Sequence, residues 1–199
     1  MGKILTPHAA LALAYEEARI NRLAEAIGEA HAHGRYYAWN VKRDLTISWE
    51  DEIQNVVTNV GKNVMLDAAL AGSGYSVVGP YMGLISSVSY GAGPVVGDTM
   101  SSHSGWTEAG NANAPSYTAP RKTCAWNAAS SGSKALSAAL SFAITGSGTI
   151  KGCFIVYGTG AVSTIDNTAG TLYSAGLFTG GDKTVANTDT LNCSYTASL

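Results

Sequence analysis

His103 lies in one short Ser/Gly-rich stretch with Asp98, Ser102, Ser104 and Glu108. These are the residue types with which a hydrolase deprotonates a serine hydroxyl through a carboxylate-oriented imidazole. Composition alone supplies them in such a stretch, and the chain has no GxSxG elbow, GxxxxGK(S/T) loop, HExxH pair or helix-opening GxGxxG to accompany them. His31 and His33 fall at the end of an expected helix, about 200° apart around its axis, which suits last-turn cations better than a shared metal. Glu50, Asp51 and Glu52 are adjacent, and three consecutive carboxylates on a strand cannot all face one ion, so a solvated turn is expected there. Cys124, Cys153 and Cys193 form no CxxC pair. Each falls in an expected strand, where a thiol behaves as a small buried hydrophobe, and their odd number excludes a fully paired disulfide framework. The chemistry-bearing residues therefore predict no enzyme, no cofactor and no metal site. Tyr75, Tyr90, Trp106, Tyr117 and Trp126 lie in or beside Gly/Ser loops. Of these, Trp106 and Trp126 are the candidates for stacking on a glycan, against the competing reading that they fill the core or a subunit contact.

The elements that must position these residues begin with a long helix over 7–33. Thr6 suits its N-cap, Pro7 its first position and Gly34 its C-terminal cap. Leu13, Ile20, Leu23 and Ile27 form a narrow apolar stripe on a rod about 40 Å long, which asks for a partner surface. From residue 35 the period changes to two, predicting a hairpin that turns at Lys42–Asp44 and carries Tyr37, Trp39, Leu45, Ile47 and Trp49 as candidate partner-binding residues of an extended arm. Thr58 or Asn59 caps a short helix closed by Gly72. Beyond it, strands are expected at 81–86, 106–109, 121–127, 136–144, 150–157, 171–178 and 191–197, separated by Gly, Asn and Asp turns. The pattern predicts a mainly β chain: an antiparallel β-sandwich or jelly roll with a long N-terminal helix and a β arm. Its expected divisions are 1–34 for the helix, 35–72 for the arm and linking helix, and 73–199 for the sandwich.

Charge is distributed unevenly along the 199 residues: residues 1–67 hold 7 basic and 9 acidic side chains, residues 68–199 only 5 of each. Glycine runs the other way, with 4 in the first part and 19 in the second. A domain so far below the usual charged fraction of about 25% predicts a surface that lives inside an assembly. The formal net charge of −2 and the lack of a basic cluster argue against nucleic acid as a partner. No apolar run approaches the roughly 18 residues of a membrane helix, and none near residue 1 resembles a signal peptide, so a soluble chain made in the cytoplasm is expected.

Seven blocks carry a likeness to a known group. They are Asn55-Val56-Val57-Thr58-Asn59-Val60-Gly61-Lys62-Asn63 followed by Leu66; Tyr81-Met82-Gly83-Leu84-Ile85; His103-Ser104-Gly105-Trp106-Thr107-Glu108; Arg121; Ile150-Lys151-Gly152-Cys153-Phe154; Leu172-Tyr173-Ser174-Ala175-Gly176-Leu177-Phe178; and Asp189-Thr190-Leu191-Asn192-Cys193-Ser194-Tyr195. In this order they resemble tailed-bacteriophage virion structural proteins, over about two thirds of the chain and without the 1–34 segment. The resemblance implies a β-sandwich of the capsid decoration (cement) type on the outside of the head. Its implied partners are the major capsid protein and further copies of the chain, a homotrimer being suited to threefold junctions. It implies no catalytic residues. A tail, portal-vertex or head-fibre component with a glycan-binding face is the alternative.

Overall fold

A computed structural model of the chain describes residues 32–70 and 78–199. The stripe residues Leu13, Ile20, Leu23 and Ile27, with His31, Gly72 and Tyr75, lie outside that range. The described elements are β1 (His33–Val41), β2 (Ile47–Val57), α1 (Asn59–Leu70), β3 (Tyr81–Ser86), β4 (Thr107–Glu108), β5 (Lys122–Thr123), β6 (Ser133–Ala135), β7 (Leu140–Ala143), β8 (Gly148–Tyr157), β9 (Thr171–Phe178), β10 (Lys183–Val185) and β11 (Thr190–Ser198). The fold is mainly β, as the two-residue alternation predicts. All pairings are antiparallel, in one eleven-stranded sheet of order β4-β3-β8-β9-β2-β1-β11-β6, with β10 on β8, β5 on β3 and β7 on β11.

The sheet curls enough to bring together side chains of strands that are not hydrogen-bonded neighbours. Tyr36 on β1 meets Ser174 on β9, hydroxyl to hydroxyl at 2.6 Å, and Cys153 on β8 lies 3.7 Å from Cys193 on β11, sulfur to sulfur. The interior is built from alternate residues: Tyr36 and Ala38 of β1, Ile53 and Val57 of β2, and Leu191, Cys193 and Tyr195 of β11 are all buried. β3, β8 and β9 are buried on both faces, so their burial is near-continuous. Their second face holds a smaller cluster, Ile85, Phe154, Val156, Leu172 and Ala175, covered by Met100, Trp106 and Ala161 from the loops. The Thr58 hydroxyl caps α1, accepting from the Gly61 N–H at 3.1 Å while donating to the Leu172 carbonyl.

Three expectations are corrected here. His33 and Gly34 open β1 instead of closing a helix. Gly34 is required by space, since a Cβ there would lie 2.0 Å from the hydroxyl oxygen of Tyr195, a side chain only 1% exposed. The division at residue 72 does not separate hairpin from sandwich, because β2 and β1 sit between β9 and β11 in the same sheet and Ala32–Ser198 is one compact unit. The acidic run is not a turn but the middle of β2, where the strand period sends Asp51 one way and Glu50 and Glu52 the other.

Asp51 is nearly buried and collects four donors: Lys183 Nζ at 2.7 Å, Thr179 Oγ1 at 2.8 Å, the Gly180 N–H at 2.8 Å and the Glu52 N–H at 2.7 Å. Burial pushes its carboxyl up, but Lys183 and the other donors outweigh this and hold it below the ordinary value. A carboxylate depressed by folding contributes stability above its unfolded pKa of about 3.9, and the contribution disappears as pH falls through the folded value. Asp51→Asn is expected to cost about 2 kcal/mol at pH 7 and much less at pH 3. Urea midpoints measured at both pH values check this, and an equal deficit at both would refute it.

Candidate functional site

The His103, Asp98 and Glu108 side chains of the would-be triad are each committed elsewhere, and Ser102 and Ser104 are exposed. The His103 ring stacks on Trp106 with centroids 3.9 Å apart, and its Nδ1 lies 3.0 Å from the Trp106 carbonyl. Asp98 accepts from Trp106 Nε1 and from the Val95 N–H, each at 3.0 Å. Glu108 is held by Arg121 in a buried two-pronged pair, Nε to Oε1 at 2.8 Å and Nη2 to Oε2 at 2.7 Å. Burial pushes the Glu108 carboxyl up, against the pull of Arg121. The same guanidinium donates to the carbonyls of Val162 (3.2 Å) and Asn167 (2.7 Å), and Glu108 Oε2 also accepts the Asp166 N–H at 2.8 Å. This cluster ties the loops that follow β4 and β8 to the sheet. The stretch therefore assembles around a tryptophan and an ion pair rather than around a nucleophile, and Arg121 was singled out in the sequence only as one of the resemblance blocks.

Neither tryptophan proposed for glycan stacking stands free. Trp106 is 2% exposed, between His103 and Phe154, so no face remains for a sugar. Trp126 is half-buried, edge-on to Tyr195 with centroids 6.0 Å apart. Among the described residues no group of three or more His, Cys, Asp or Glu side chains could hold a metal ion, and no helix is long and apolar enough to cross a membrane.

What does stand free is the β1–β2 tip. The turn is closed by Lys42 N–H to the Thr46 carbonyl and Leu45 N–H to the Lys42 carbonyl, both 2.9 Å. Asp44 Oδ1 accepts from Thr46 Oγ1 (2.6 Å) and the Thr46 N–H (3.0 Å), contacts that hold its carboxyl below the ordinary value. At the apex Leu45 takes φ +68° and is 83% exposed. Ile47 is 58% exposed and pairs with Val41, so it continues the outward row Tyr37, Trp39, Val41. The Tyr37 and Trp39 rings lie 5.6 Å apart on that row. Tyr37 donates to Glu50 at 2.6 Å, a bond that keeps its phenol above the ordinary value.

Tyr37, Trp39 and Ile47 thus share one face with Leu45 at the apex beyond them, and Trp49 does not share it. Asn40 pairs with Trp49 and Val41 with Ile47, leaving Ser48 as the extra residue of a bulge that reverses the parity of β2. Trp49 turns to the opposite face, edge-on to Phe178 at 5.3 Å, and donates to the Thr184 carbonyl at 2.8 Å. A strict two-residue period cannot anticipate that reversal. Comparison of the chain with protein families, with curated proteins and with solved structures gave no match.

Proposed function

We propose that the chain is a non-enzymatic structural protein of a tailed-phage particle, a cement protein that binds the outside of the assembled head and stabilises it. The observation that carries this reading is Leu45. A leucine in the left-handed region costs of order 1 kcal/mol, and an 83% exposed one buries little apolar surface in the fold. Asn or Gly at the apex would remove both penalties, so the apolar side chain serves contact with something else. The resemblance blocks and the sparse charge of residues 68–199 support the choice of a phage particle, and the curl of the sheet supports a jelly-roll-like sandwich as its type. A partner that binds only the assembled lattice adds its binding free energy to the stability of that lattice. The stripe at Leu13, Ile20, Leu23 and Ile27 is proposed as a second contact, to the shell or to another copy of the chain.

Leu45→Asn combined with Ile47→Thr tests the reading. The fold should keep its denaturation midpoint or gain slightly, because the strain at the apex is relieved. Occupancy on heads stripped of the chain should fall by more than tenfold, since burying two such side chains is worth several kcal/mol. Co-sedimentation measures this, and full occupancy by the double variant would overturn the assignment of the tip. Copy number in purified particles, measured by mass spectrometry, then separates cement from the alternative. A simple ratio to the major capsid protein places the chain on the lattice, and a small minority places it at a vertex or in the tail.

A further inference from the structure

We propose that Cys153 and Cys193 are a latent disulfide, an exchangeable thiol pair that in an oxidising medium joins β8 to β11 across the interior while Cys124 remains a thiol. The inference does not depend on the proposed function. β8 and β11 are not hydrogen-bonded neighbours, and three strands lie between them in the sheet order. Yet the two sulfurs are 3.7 Å apart, both side chains are 0% exposed, and each sits mid-strand among packed neighbours. A disulfide needs the sulfurs at about 2.05 Å, within reach of a side-chain rotation if the strands give slightly. Facing layers of β-sandwiches are stapled in this manner elsewhere. Cys124 is placed differently: its sulfur lies 4.0 Å from the Lys122 carbonyl on the β5 side, and burial pushes its thiol up to about 12.

The reaction is thiol–disulfide exchange with a small disulfide such as oxidised glutathione. The thiolate of one cysteine attacks the reagent and expels one thiol. The second cysteine then attacks the mixed disulfide and expels the other. Two electrons pass from the protein to the reagent, and the two cysteine protons end on the two released glutathione thiols. Burial pushes the Cys193 thiol up, and both side chains are 0% exposed, so the folded protein admits the reagent poorly. Exchange is therefore expected as the chain folds or as β11 opens, and to be slow in the closed state.

The test uses the full chain. Reduced protein is refolded from urea in oxidised and reduced glutathione, quenched with iodoacetamide in denaturant and weighed intact. The expected product carries one carbamidomethyl group and lacks two hydrogens. Trypsin cleavage after Arg121, Lys122, Lys134, Lys151 and Lys183 separates the three cysteines onto different peptides, so the link is located directly. The bond closes a loop with its ends 40 positions apart, and the thermal midpoint should rise by on the order of 10 °C over the reduced form. Cys124→Ser should keep the 153–193 link and the rise in midpoint while its product carries no carbamidomethyl group, and Cys193→Ser should abolish both the link and the rise. Three alkylated cysteines in refolded protein, a link involving Cys124, or a lowered midpoint in the cross-linked form would each overturn the proposal.

Discussion

Arg121→Ala is expected to lower stability by about 3–5 kcal/mol, a large share of the roughly 5–15 kcal/mol that holds a domain together. The side chain is fully buried and ties its own β4–β5 loop to β4 and to the β8–β9 loop: both of its prongs lie on Glu108, and it donates to the Val162 and Asn167 carbonyls. Its guanidinium also lies 5.4 Å from the centre of the Phe154 ring. Removing it leaves the Glu108 carboxylate in the interior with, among the described residues, the Asp166 N–H as its one remaining side-chain donor, and a buried charge without its counter-ion is what makes such deletions costly. Replacing the pair together, Glu108→Leu with Arg121→Met, should recover most of the loss, because the penalty belongs to the orphaned charge more than to the lost attraction. Guanidinium denaturation of the two variants checks both statements. A loss below about 1 kcal/mol for Arg121→Ala would show that the loops hold without the pair.

β11 and β1 were legible because one face of each strand is wetter than the other. β11 reads directly as Leu191, Cys193 and Tyr195 inward with Asn192 and Ser194 outward, and β1 and the first turn of α1 follow the same logic of period and cap. β3 and β9 carry apolar residues on both faces, and their composition and flanking turns were enough to place them. Legibility failed where long-range pairing sets the answer. Lys183–Val185 became β10 because it lies along Gly148–Ile150 of β8, and nothing in three mixed residues announces that. The acidic run looked like a turn because its hydrophilicity is local, whereas Lys183 and Thr179, which make a strand position tolerable for Asp51, are more than a hundred residues away. At the candidate site, the alternation placed the hairpin, and the bulge at Ser48 turns Trp49 away from the face that holds Tyr37, Trp39 and Ile47. The Leu45 backbone strain has no sequence signature, since nothing marks a leucine for the left-handed region.

Gly152→Ala should be at least as damaging as the loss of Arg121, for a reason of space rather than charge. Gly152 lies on β8 beside the irregularity where Ile85 pairs with Gly152 and Ser86 with Ile150, so that Lys151 is the extra residue. A methyl group at Gly152 would point into β9, 1.8 Å from the Gly176 carbonyl oxygen and 2.9 Å from the Leu177 Cα. Those atoms are main chain, so no rotamer change makes room, and the strand beyond them is itself locked: a Cβ on Gly176 would meet the Gln54 carbonyl at 2.7 Å. Overpacking that side chains can absorb costs about 1–3 kcal/mol. Here the three central strands β8, β9 and β2 would have to separate, breaking ladder bonds on both sides, and the expected cost lies above that range. Since Cys153 follows Gly152 directly, the shift would also carry its sulfur off the line to Cys193. Gly152→Ala is accordingly expected either to fail to fold or to melt far below the native chain, and, if it folds, to give less of the 153–193 cross-link. Gly181→Ala is the control: that glycine has open space around it, but its φ of +81° predicts only a small loss of order 1 kcal/mol. Circular dichroism melts of the two variants separate steric exclusion within the sheet from a general intolerance of side chains at glycine positions.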